Sequence, residues 1–275
     1  IIGDKPIESV TRDDARAFKE TALKLPPRNP KTHNQSLQKL IESAEKTISG
    51  TTFNNYIKNL TTIFTYAVRE GYCTRNPLEG LRVKQKVKVN AQRSRFTCDD
   101  LKRLFATLSN ERQQDAKPYR KWLPVLGLYT GARMNELCQL YLDDIVKVND
   151  VDCIHVRAER SDQSLKNVSS ERLIPIHSVL KETGFLDFVD HQRLLGYERL
   201  FPELRLHKQH GYTHSSSRWF AGVRDKVGLK GLTEKKDFHS FRHTVADSLK
   251  QQGVAESLIA GILGHQVGGI TFNRY

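Results

Sequence analysis

Two arginines each stand three positions from a partner that could help to hold a phosphate group. His239 and Arg242 have this spacing in "DFHSFRHTVADSL", and Arg133 and Glu136 have it in "YTGARMNELCQL". Residues three apart lie on one face of a helix, and a guanidinium fork can bind two phosphate oxygens at once. The structural alternative is a polar pair on an exposed helix or, for Arg133 and Glu136, an intrahelical ion pair. Each pair taken alone favours that alternative.

Three further residues have side chains suited to phosphoryl transfer. His265 follows Gly264 in "ILGHQVGGITFNRY", and Tyr275 ends the same segment ten residues later. Lys166 lies in the polar stretch "RSDQSLKNVS". An imidazole can donate hydrogen bonds, a phenol can attack phosphorus and an amine can supply a proton. Taken singly, His265 could cap a helix, Tyr275 could be a half-buried aromatic, and Lys166 could be a solvated loop residue.

The first part of the chain has the pattern of a small helical domain. Apolar residues recur at helical spacing over 49–72, which predicts a long amphipathic helix. Thr11 with Asp14, and Ser36 further along, mark two other helix starts. We therefore predict an all-helical domain over residues 1–81.

Residues 82–96 contain a run of cations without any acidic side chain. The run "RVKQKVKVNAQRSR" could be an exposed edge strand with a solvated face. We prefer a basic interdomain linker that lies along DNA phosphates, because each cation there can release a condensed counterion. The residues predicted to contact DNA are Arg82, Lys84, Lys86, Lys88, Arg93 and Arg95.

Residues 97–275 have a mixed pattern that predicts a second domain. Thr97 and Asp100 form a candidate capping box before an apolar helix. The segments "VDCIHVRAE" and "SERLIPIHS" are typical of two short strands, and the polar stretch between them predicts a hairpin with a long tip. Residues 177–275 are mostly helical in pattern. The predicted fold class is mainly α with a small β-hairpin or sheet, an α+β chain.

The charge of the chain favours a polyanionic partner. Its 275 residues carry a net charge of +13, with a pI near 9.6, so nucleic acid is the leading candidate. The uncharged apolar stretches over 122–132 and 257–273 fall short of the roughly 20 residues that span a bilayer. We therefore expect no membrane span and a location in the cytoplasm.

Two further features bound the class of protein. The four cysteines form no C-x-x-C pair, which argues against a zinc module and suits a reducing compartment. The chain begins without an initiator Met and shows no signal peptide, so we expect it to be a fragment of a longer protein.

The order of the motifs resembles that of the tyrosine recombinase (phage integrase) family. T-G-A-R-x-x-E at Arg133 comes first, then a hairpin lysine, H-x-x-R, L-G-H and a tyrosine about ten residues later. The segment "TTFNNYIKNLTTIFTYAVREGYCTRNPLEGL" is similar to the helical core-binding domain of that family. Residues 97–275 are similar to its catalytic domain, of the DNA breaking-rejoining type. The ending "TFNRY" is most similar to integrases of phages and integrative elements.

The resemblance implies a nucleophile and the groups that stabilise its attack. Tyr275 would attack a DNA phosphodiester, form a 3′-phosphotyrosyl link and expel a 5′-hydroxyl. Arg133 and Arg242 would bind the nonbridging oxygens, where negative charge develops. His265 would be a third donor to those oxygens, while His239 would orient the phosphate and help to move the tyrosine proton.

The resemblance also implies a proton donor and a supporting residue. Lys166, the only lysine in the hairpin, would be the general acid that protonates the departing 5′-oxygen. Arg157 and Arg160 nearby hold their protons too tightly to compete. Glu136 would brace the active-site helix or His239.

The family further implies partners and the absence of a cofactor. We expect double-stranded DNA attachment sites as substrate, a homotetramer on DNA, a monomer without it, and accessory DNA-bending proteins. The phosphotyrosyl bond conserves the energy of the broken ester, so no nucleotide or metal is required. The expected role is integration or excision of a phage or mobile element in a bacterial cytoplasm, associated with the nucleoid.

Three alternatives remain beside this interpretation. One is a type IB topoisomerase-like enzyme, against which the helical core-binding domain argues. Another is a noncatalytic DNA-binding regulator with the same fold, which would be favoured if key positions were lost. The third is a metal-dependent nuclease that uses Asp237, His239 and His243, although Asp237 would point away from the histidines on a shared helix.

Overall fold

The computed structural model describes residues 3–29, 32, 34–84, 94–112, 117–229 and 235–265. The chain divides into two compact units, Ile1–Lys88 and Val89–Tyr275. The predicted fold class, mainly α with a small sheet and an N-terminal helical domain, is confirmed. None of the described helices is both long and apolar enough to cross a membrane.

Hydroxyl caps begin the helices of the first unit. Its described α-helices are α1 (Arg12–Ala22), α2 (Leu37–Glu42) and α3 (Gly50–Arg69), after a 3-10 turn at Ile7–Ser9. Thr11 and Asp14 exchange side-chain and backbone hydrogen bonds at 2.9 and 3.1 Å, which is the predicted capping box. Ser36 and Ser49 accept backbone N–H groups at the starts of α2 and α3. These predicted helix starts are confirmed.

The helix α3 contributes to the core of the first unit and also binds the start of the predicted linker. Phe53 of α3 is fully buried. Asn54 accepts a hydrogen bond from the backbone N–H of Val83 at 2.9 Å and donates one to its carbonyl at 3.0 Å. The segment around Val83 is therefore attached to the first unit, with Arg82 and Lys84 exposed.

The second unit is built mainly of helices. Those described are α4 (Cys98–Arg112), α5 (Pro118–Thr130), α6 (Met134–Cys138), α7 (Ser178–Glu182), α8 (Phe185–Leu194), α9 (Thr213–Lys226), α10 (His239–Gln251) and α11 (Glu256–Leu263). Thr97 and Asp100 form the predicted capping box at the start of α4, with bonds of 2.9 and 3.1 Å. The helical pattern expected after residue 177 is confirmed as far as the structure describes it.

An antiparallel sheet of three strands completes the second unit. Its strands are β1 (Ile145–Val148), β2 (Val151–Val156) and β3 (Arg172–Pro175), in the order β1-β2-β3. Ile154 of β2 pairs with Ile145 on one side and Ile174 on the other, and all three are buried. The predicted hairpin of β2 and β3 is confirmed. The strand β1 was not predicted.

An aromatic cluster fixes α10 in the core of the second unit. The Phe241 ring is fully buried and lies 4.8 Å from Phe96, 5.2 Å from Phe238 and 5.8 Å from Phe220, measured between ring centroids. Such aromatic pairs stabilise a core beyond the area they bury. Because Arg242 follows Phe241 in the helix, this packing also fixes the position of Arg242.

Candidate active site

The turn between α5 and α6 brings Arg133 to the start of a helix. Gly131 ends α5 with a φ of 61°, and a Cβ at that position would lie 2.5 Å from Leu263. Only glycine meets both conditions without strain. Arg133 is the N-cap of α6, and its backbone N–H donates to Glu136 Oε2 at 2.9 Å. The expectation that Arg133 and Glu136 share a helix face is therefore corrected: Arg133 stands just outside the helix.

Glu136 is a buried carboxylate shared by two arginines. Its Oε1 accepts from Arg133 Nη1 at 2.5 Å, and its Oε2 accepts from Arg172 Nη2 at 2.9 Å. Burial raises the pKa of Glu136, but hydrogen bonds and charge from Arg172 and then Arg133 outweigh it and hold the pKa below its ordinary value. The ion pair between Arg133 and Glu136 is thus part of a larger cluster.

Arg172, which was not among the predicted site residues, also belongs to this cluster. It donates from Nε to the carbonyl of Ile262 at 2.6 Å and from Nη1 to the carbonyl of Ser170 at 2.7 Å. Its side chain is 6% exposed. The one sequence signal was its position at the start of a predicted strand, where an arginine must either face solvent or find buried partners.

Arg242 is almost completely buried and joins two helix ends. It is 2% exposed, so the alternative of an exposed polar pair is wrong for this residue. Its Nη1 donates to the carbonyl of Gly131 at 3.0 Å, and its Nη2 donates to the carbonyl of Leu263. Burial, together with repulsion from Arg133 and Arg172 and against the attraction of Glu136, lowers the pKa of Arg242 to about 10.

His265 follows α11 at the edge of the arginine cluster. Gly264 has a φ of 65°, and the N–H of His265 donates to the carbonyl of Ala260 at 2.9 Å, a Schellman ending. A Cβ at Gly264 would lie 2.9 Å from Arg172 Nη1, so a side chain there would displace the guanidinium. Lost hydration, followed by repulsion from nearby cations of which Arg242 is the first, lowers the pKa of His265. The backbone caps the helix, while the ring lies in the field of the cluster.

His239 begins α10 and has its backbone capped by an acid. Its N–H donates to Asp237 Oδ1 at 2.9 Å, and its ring meets the His243 ring edge to face at 5.1 Å. The carboxylate of Asp237 is therefore turned towards the helix start. That orientation is unfavourable to the metal-nuclease alternative, which needs Asp237 to join His239 and His243 around one ion.

Lys166 lies on a loop that is anchored on both sides of it. Before it, the N–H of Ser164 donates to Gln139 Oε1 at 3.0 Å, and after it the Ser170 hydroxyl accepts from Arg133 Nη1 at 3.3 Å. Lys166 itself is exposed and, within the described part of the chain, forms no hydrogen bond or ion pair. The loop end thus contacts the arginine cluster, while the lysine side chain remains in solvent.

The remaining predicted site residues have different outcomes. Tyr275 and the linker residues Lys86, Lys88 and Arg93 lie outside the described residues. Arg95 forms an ion pair with Asp247 of α10. That carboxylate partly neutralises the Arg95 charge, so its attraction for a DNA phosphate is weaker than that of an unpaired cation.

A group of histidines that the sequence analysis did not assign lies before and within the first turn of α9. His207, His210 and His214 each place one ring nitrogen within 4.8 Å of the others. Their spacing, H-x-x-H-x-x-x-H, was the available signal, because side chains three and four apart meet on a turn or helix. Among the residues that the structure describes, they are a candidate group for holding a metal ion.

The family of the chain follows from two matching family models. Residues 94–275 match the phage integrase family, and residues 34–88 match the phage integrase SAM-like domain. The chain therefore belongs to the phage integrase family of tyrosine recombinases.

A relative of known family agrees with this assignment. The XerC-like tyrosine recombinase of Caldanaerobacter subterraneus is 27% identical over 265 residues, covering 84% of this chain. The chain spans 62% of the length of that relative.

Two solved integrases share the fold. A lambda integrase tetramer bound to a Holliday junction has a TM-score of 0.59 and 21% identity, covering 97% of this chain and 67% of that one. The Tn1549 transposon integrase in complex with transposon right end DNA has a TM-score of 0.62 and 20% identity, covering 99% and 83%.

Proposed function

We propose that this chain is the core-binding and catalytic part of a site-specific DNA recombinase that integrates or excises a phage or mobile element. The observation that carries the proposal is the arginine cluster, in which Arg133 and Arg172 bind the single carboxylate of Glu136 and the buried Arg242 lies within reach of its charge. Three buried or half-buried cations beside one anion leave a local excess of positive charge. A bound phosphate would neutralise that excess and relieve the repulsion that, after burial, lowers the Arg242 pKa.

In this proposal, each step of strand cleavage is carried out by one side chain. The Tyr275 oxygen attacks phosphorus, its proton passes to His239, and the bond from phosphorus to the 5′-oxygen breaks. Lys166 gives its proton to that departing oxygen, which leaves as a hydroxyl. Rejoining reverses each transfer, so the number of ester bonds is conserved and no external energy is needed.

The cluster residues stabilise the charge that develops during this attack. Arg133 uses Nη1 for Glu136 and Ser170, which leaves its other N–H groups for a nonbridging oxygen. Arg242 is held by two carbonyls and has further N–H groups on the same nitrogens. His265 supplies a third donor. Donors held in place before the reaction stabilise its transition state most effectively.

The domains and partners form part of the same proposal. Residues 1–81 bind core DNA, residues 82–96 lie along phosphates, and residues 97–275 carry out the reaction. The substrate is a double-stranded attachment site, on which four protomers assemble, with accessory proteins that bend DNA. The likeness to an integrase solved with transposon end DNA and to an integrase tetramer solved on a Holliday junction supports the DNA substrate and the four protomers.

Covalent trapping on nicked duplexes tests the proposal. A pool of nicked duplexes of random sequence lets a cleaved 5′ fragment diffuse away, so any phosphotyrosyl link accumulates. The protein should yield a denaturant-resistant adduct, and the trapped DNA should share a sequence. Tyr275→Phe should bind DNA and yield none, whereas the exposed control Tyr197→Phe should yield the adduct.

Other tyrosines are poor substitutes for Tyr275. The Tyr141 and Tyr212 hydroxyls both donate to Asp162. Burial, with the Asp162 carboxylate, raises the pKa of Tyr141 to about 12 and raises that of Tyr212. An adduct from Tyr275→Phe would overturn the assignment of the nucleophile.

If no variant forms an adduct, the noncatalytic regulator is the better interpretation. Cleavage should also continue in excess chelator, and its loss there would favour the nuclease.

A further inference from the structure

Three histidines cluster apart from the arginine cluster, on the segment that leads into α9. The His207 and His214 rings stack at 4.4 Å between centroids with an interplanar angle of 6°, and His210 lies 4.9 Å from His207. One ring nitrogen of each lies within 4.8 Å of the others. His207 and His214 are half-buried, and His210 is exposed. We call these three residues the histidine triad.

A closed turn fixes the backbone of the histidine triad. His207 and Gly211 exchange two backbone hydrogen bonds, both of 2.9 Å, and the N–H of His210 donates to the His207 carbonyl at 3.2 Å. The N–H of Gln209 donates to His207 Nδ1 at 3.2 Å and so orients that ring. His214 lies in the first turn of α9. The three rings therefore come from backbone that is already ordered, which lowers the entropic cost of binding a ligand.

This turn is also attached to the body of the second unit. The N–H of Tyr212 donates to Asn135 Oδ1 of α6 at 3.2 Å, and the Tyr212 hydroxyl donates to Asp162. The guanidinium of Arg199 lies 3.5 Å from the centroid of the Tyr212 ring. A ligand held by the histidine triad would thus be supported by buried groups rather than by a loose loop.

The state of His214 suits a metal ligand. Arg218 Nη2 lies 3.3 Å from His214 Nε2, and because a guanidinium can only donate, Nε2 must present its lone pair. Neutral imidazole is the form that binds metals. The Arg218 guanidinium occupies the place at Nε2 that a cation would take.

We propose that His207, His210 and His214 bind one divalent transition-metal ion of the zinc class, each through one ring nitrogen. Bonds of 2.0–2.1 Å in a tetrahedral site place the nitrogens about 3.3 Å apart. The nitrogens now lie within 4.8 Å of one another, so binding requires rotation of the three rings and displacement of Arg218. Water fills the open position. The ion clamps the turn to the start of α9 and takes no part in strand cleavage.

Zinc titration of the reduced protein tests this site without any measurement of recombination. Isothermal titration calorimetry would compare the unchanged protein with His207→Gln/His210→Gln and with the control His191→Gln, which removes an exposed histidine of α8. We expect the double variant to lose one zinc equivalent or bind it about 100-fold more weakly, because even loss of an outer-shell partner typically costs 10–100-fold. The control should bind as the unchanged protein does.

Two additional measurements separate a metal site from simple ring stacking. Co²⁺ should give visible absorption bands with the unchanged protein and with His191→Gln, and lose them with the single exposed-site variant His210→Gln. Arg218→Gln removes the competing cation and should bind zinc at least as tightly. Equal zinc binding by all histidine variants, or weaker binding by Arg218→Gln, would mean that the rings merely stack and would overturn the proposal. Circular dichroism would verify that each variant is folded.

Discussion

The arginine cluster and the loop that carries Lys166 show opposite designs within one unit. Arg242 is 2% exposed and is held by two backbone carbonyls, whereas Lys166 is exposed and forms no hydrogen bond or ion pair in the described part of the chain. Binding a phosphate in its transition state requires donors fixed in advance. Delivery of a proton requires a side chain that can still move and exchange protons with water. Each region has the environment that its proposed task requires.

The two regions also differ in what they contribute to folding. Removal of one partner from the buried cluster leaves an uncompensated charge, which is costly. Lys166 buries nothing, so its removal should leave the fold intact. The contrast predicts that changes in the cluster alter both stability and activity, whereas changes at Lys166 alter activity alone.

The largest expected effect is the loss of strand cleavage when Arg242 is substituted. Arg242→Lys keeps the charge but cannot reach both carbonyls and a phosphate oxygen, so we expect strand cleavage to fall about 1,000-fold, with DNA affinity nearly unchanged. Arg193→Lys is the matched control, since Arg193 donates to the carbonyls of Leu142 and Ile145 at 3.1 and 3.2 Å outside the site. Single-turnover cleavage of a nicked substrate measures both. Similar losses of cleavage rate in the two variants would contradict a specific role for Arg242.

The next effect concerns the stability of the cluster. Glu136→Gln leaves Arg133 and Arg172 without their shared carboxylate, and we expect the free energy of unfolding to fall by about 3 kcal/mol. Urea unfolding would measure the change, with the exposed Glu182→Gln as control. A loss no larger than that of the control would mean that the carboxylate does not hold the cluster together.

Lys166 should show the converse behaviour. Lys166→Ala should slow cleavage about 100-fold through loss of the general acid, and change stability by no more than about 0.5 kcal/mol. A substrate can carry sulfur in place of the departing 5′-oxygen, and this sulfur leaves as a thiolate that needs no proton. Such a substrate should therefore restore cleavage by Lys166→Ala but not by Arg242→Lys. Lys102→Ala, on the exposed face of α4, is the control. Failure of the sulfur substrate to rescue would argue against Lys166 as the acid.

The arginine cluster should make the stability of the protein depend on pH through Glu136. The Glu136 pKa is lowered in the folded state, so its stabilisation is complete above the ordinary value of 4.5 and disappears as pH falls through the lowered folded value. The stability difference between the unchanged protein and Glu136→Gln should therefore shrink in acid, in unfolding curves measured from pH 7 downwards. A constant difference would contradict this linkage.

The smallest expected effect compares two cations of the predicted linker. Lys84 is exposed, while Arg95 is paired with Asp247. Lys84→Ala should reduce the slope of log affinity against log salt by about 0.9 if it contacts one phosphate, and Arg95→Ala should reduce it less. Changing Lys84, Lys86 and Lys88 to Ala together should reduce the slope by about 0.9 for each phosphate contact that is lost. An unchanged slope in the triple variant would mean that this segment does not touch DNA.

Much of the local structure could be predicted because it depends on neighbours a few residues apart. The capping boxes at Thr11 and Thr97 were predicted and found, since a cap is decided by a hydroxyl and an acid three positions later. The hairpin of β2 and β3 was predicted from its two apolar runs. The strand β1 was missed because its four residues carry too short a pattern to identify it.

The sequence by itself determined which side chains this protein has for the proposed phosphate chemistry, their order, and the helix starts and ends that carry them. Tertiary structure alone decided how they meet. Arg242 reaches carbonyls 111 and 21 positions away, and Arg172 reaches Glu136 across 36 positions. The burial of Arg242 and its lowered pKa depend on the packing of α10 around Phe241, which no local spacing encodes. Local hydrogen bonds follow from adjacent residues, whereas burial and charge coupling arise only when distant segments pack together.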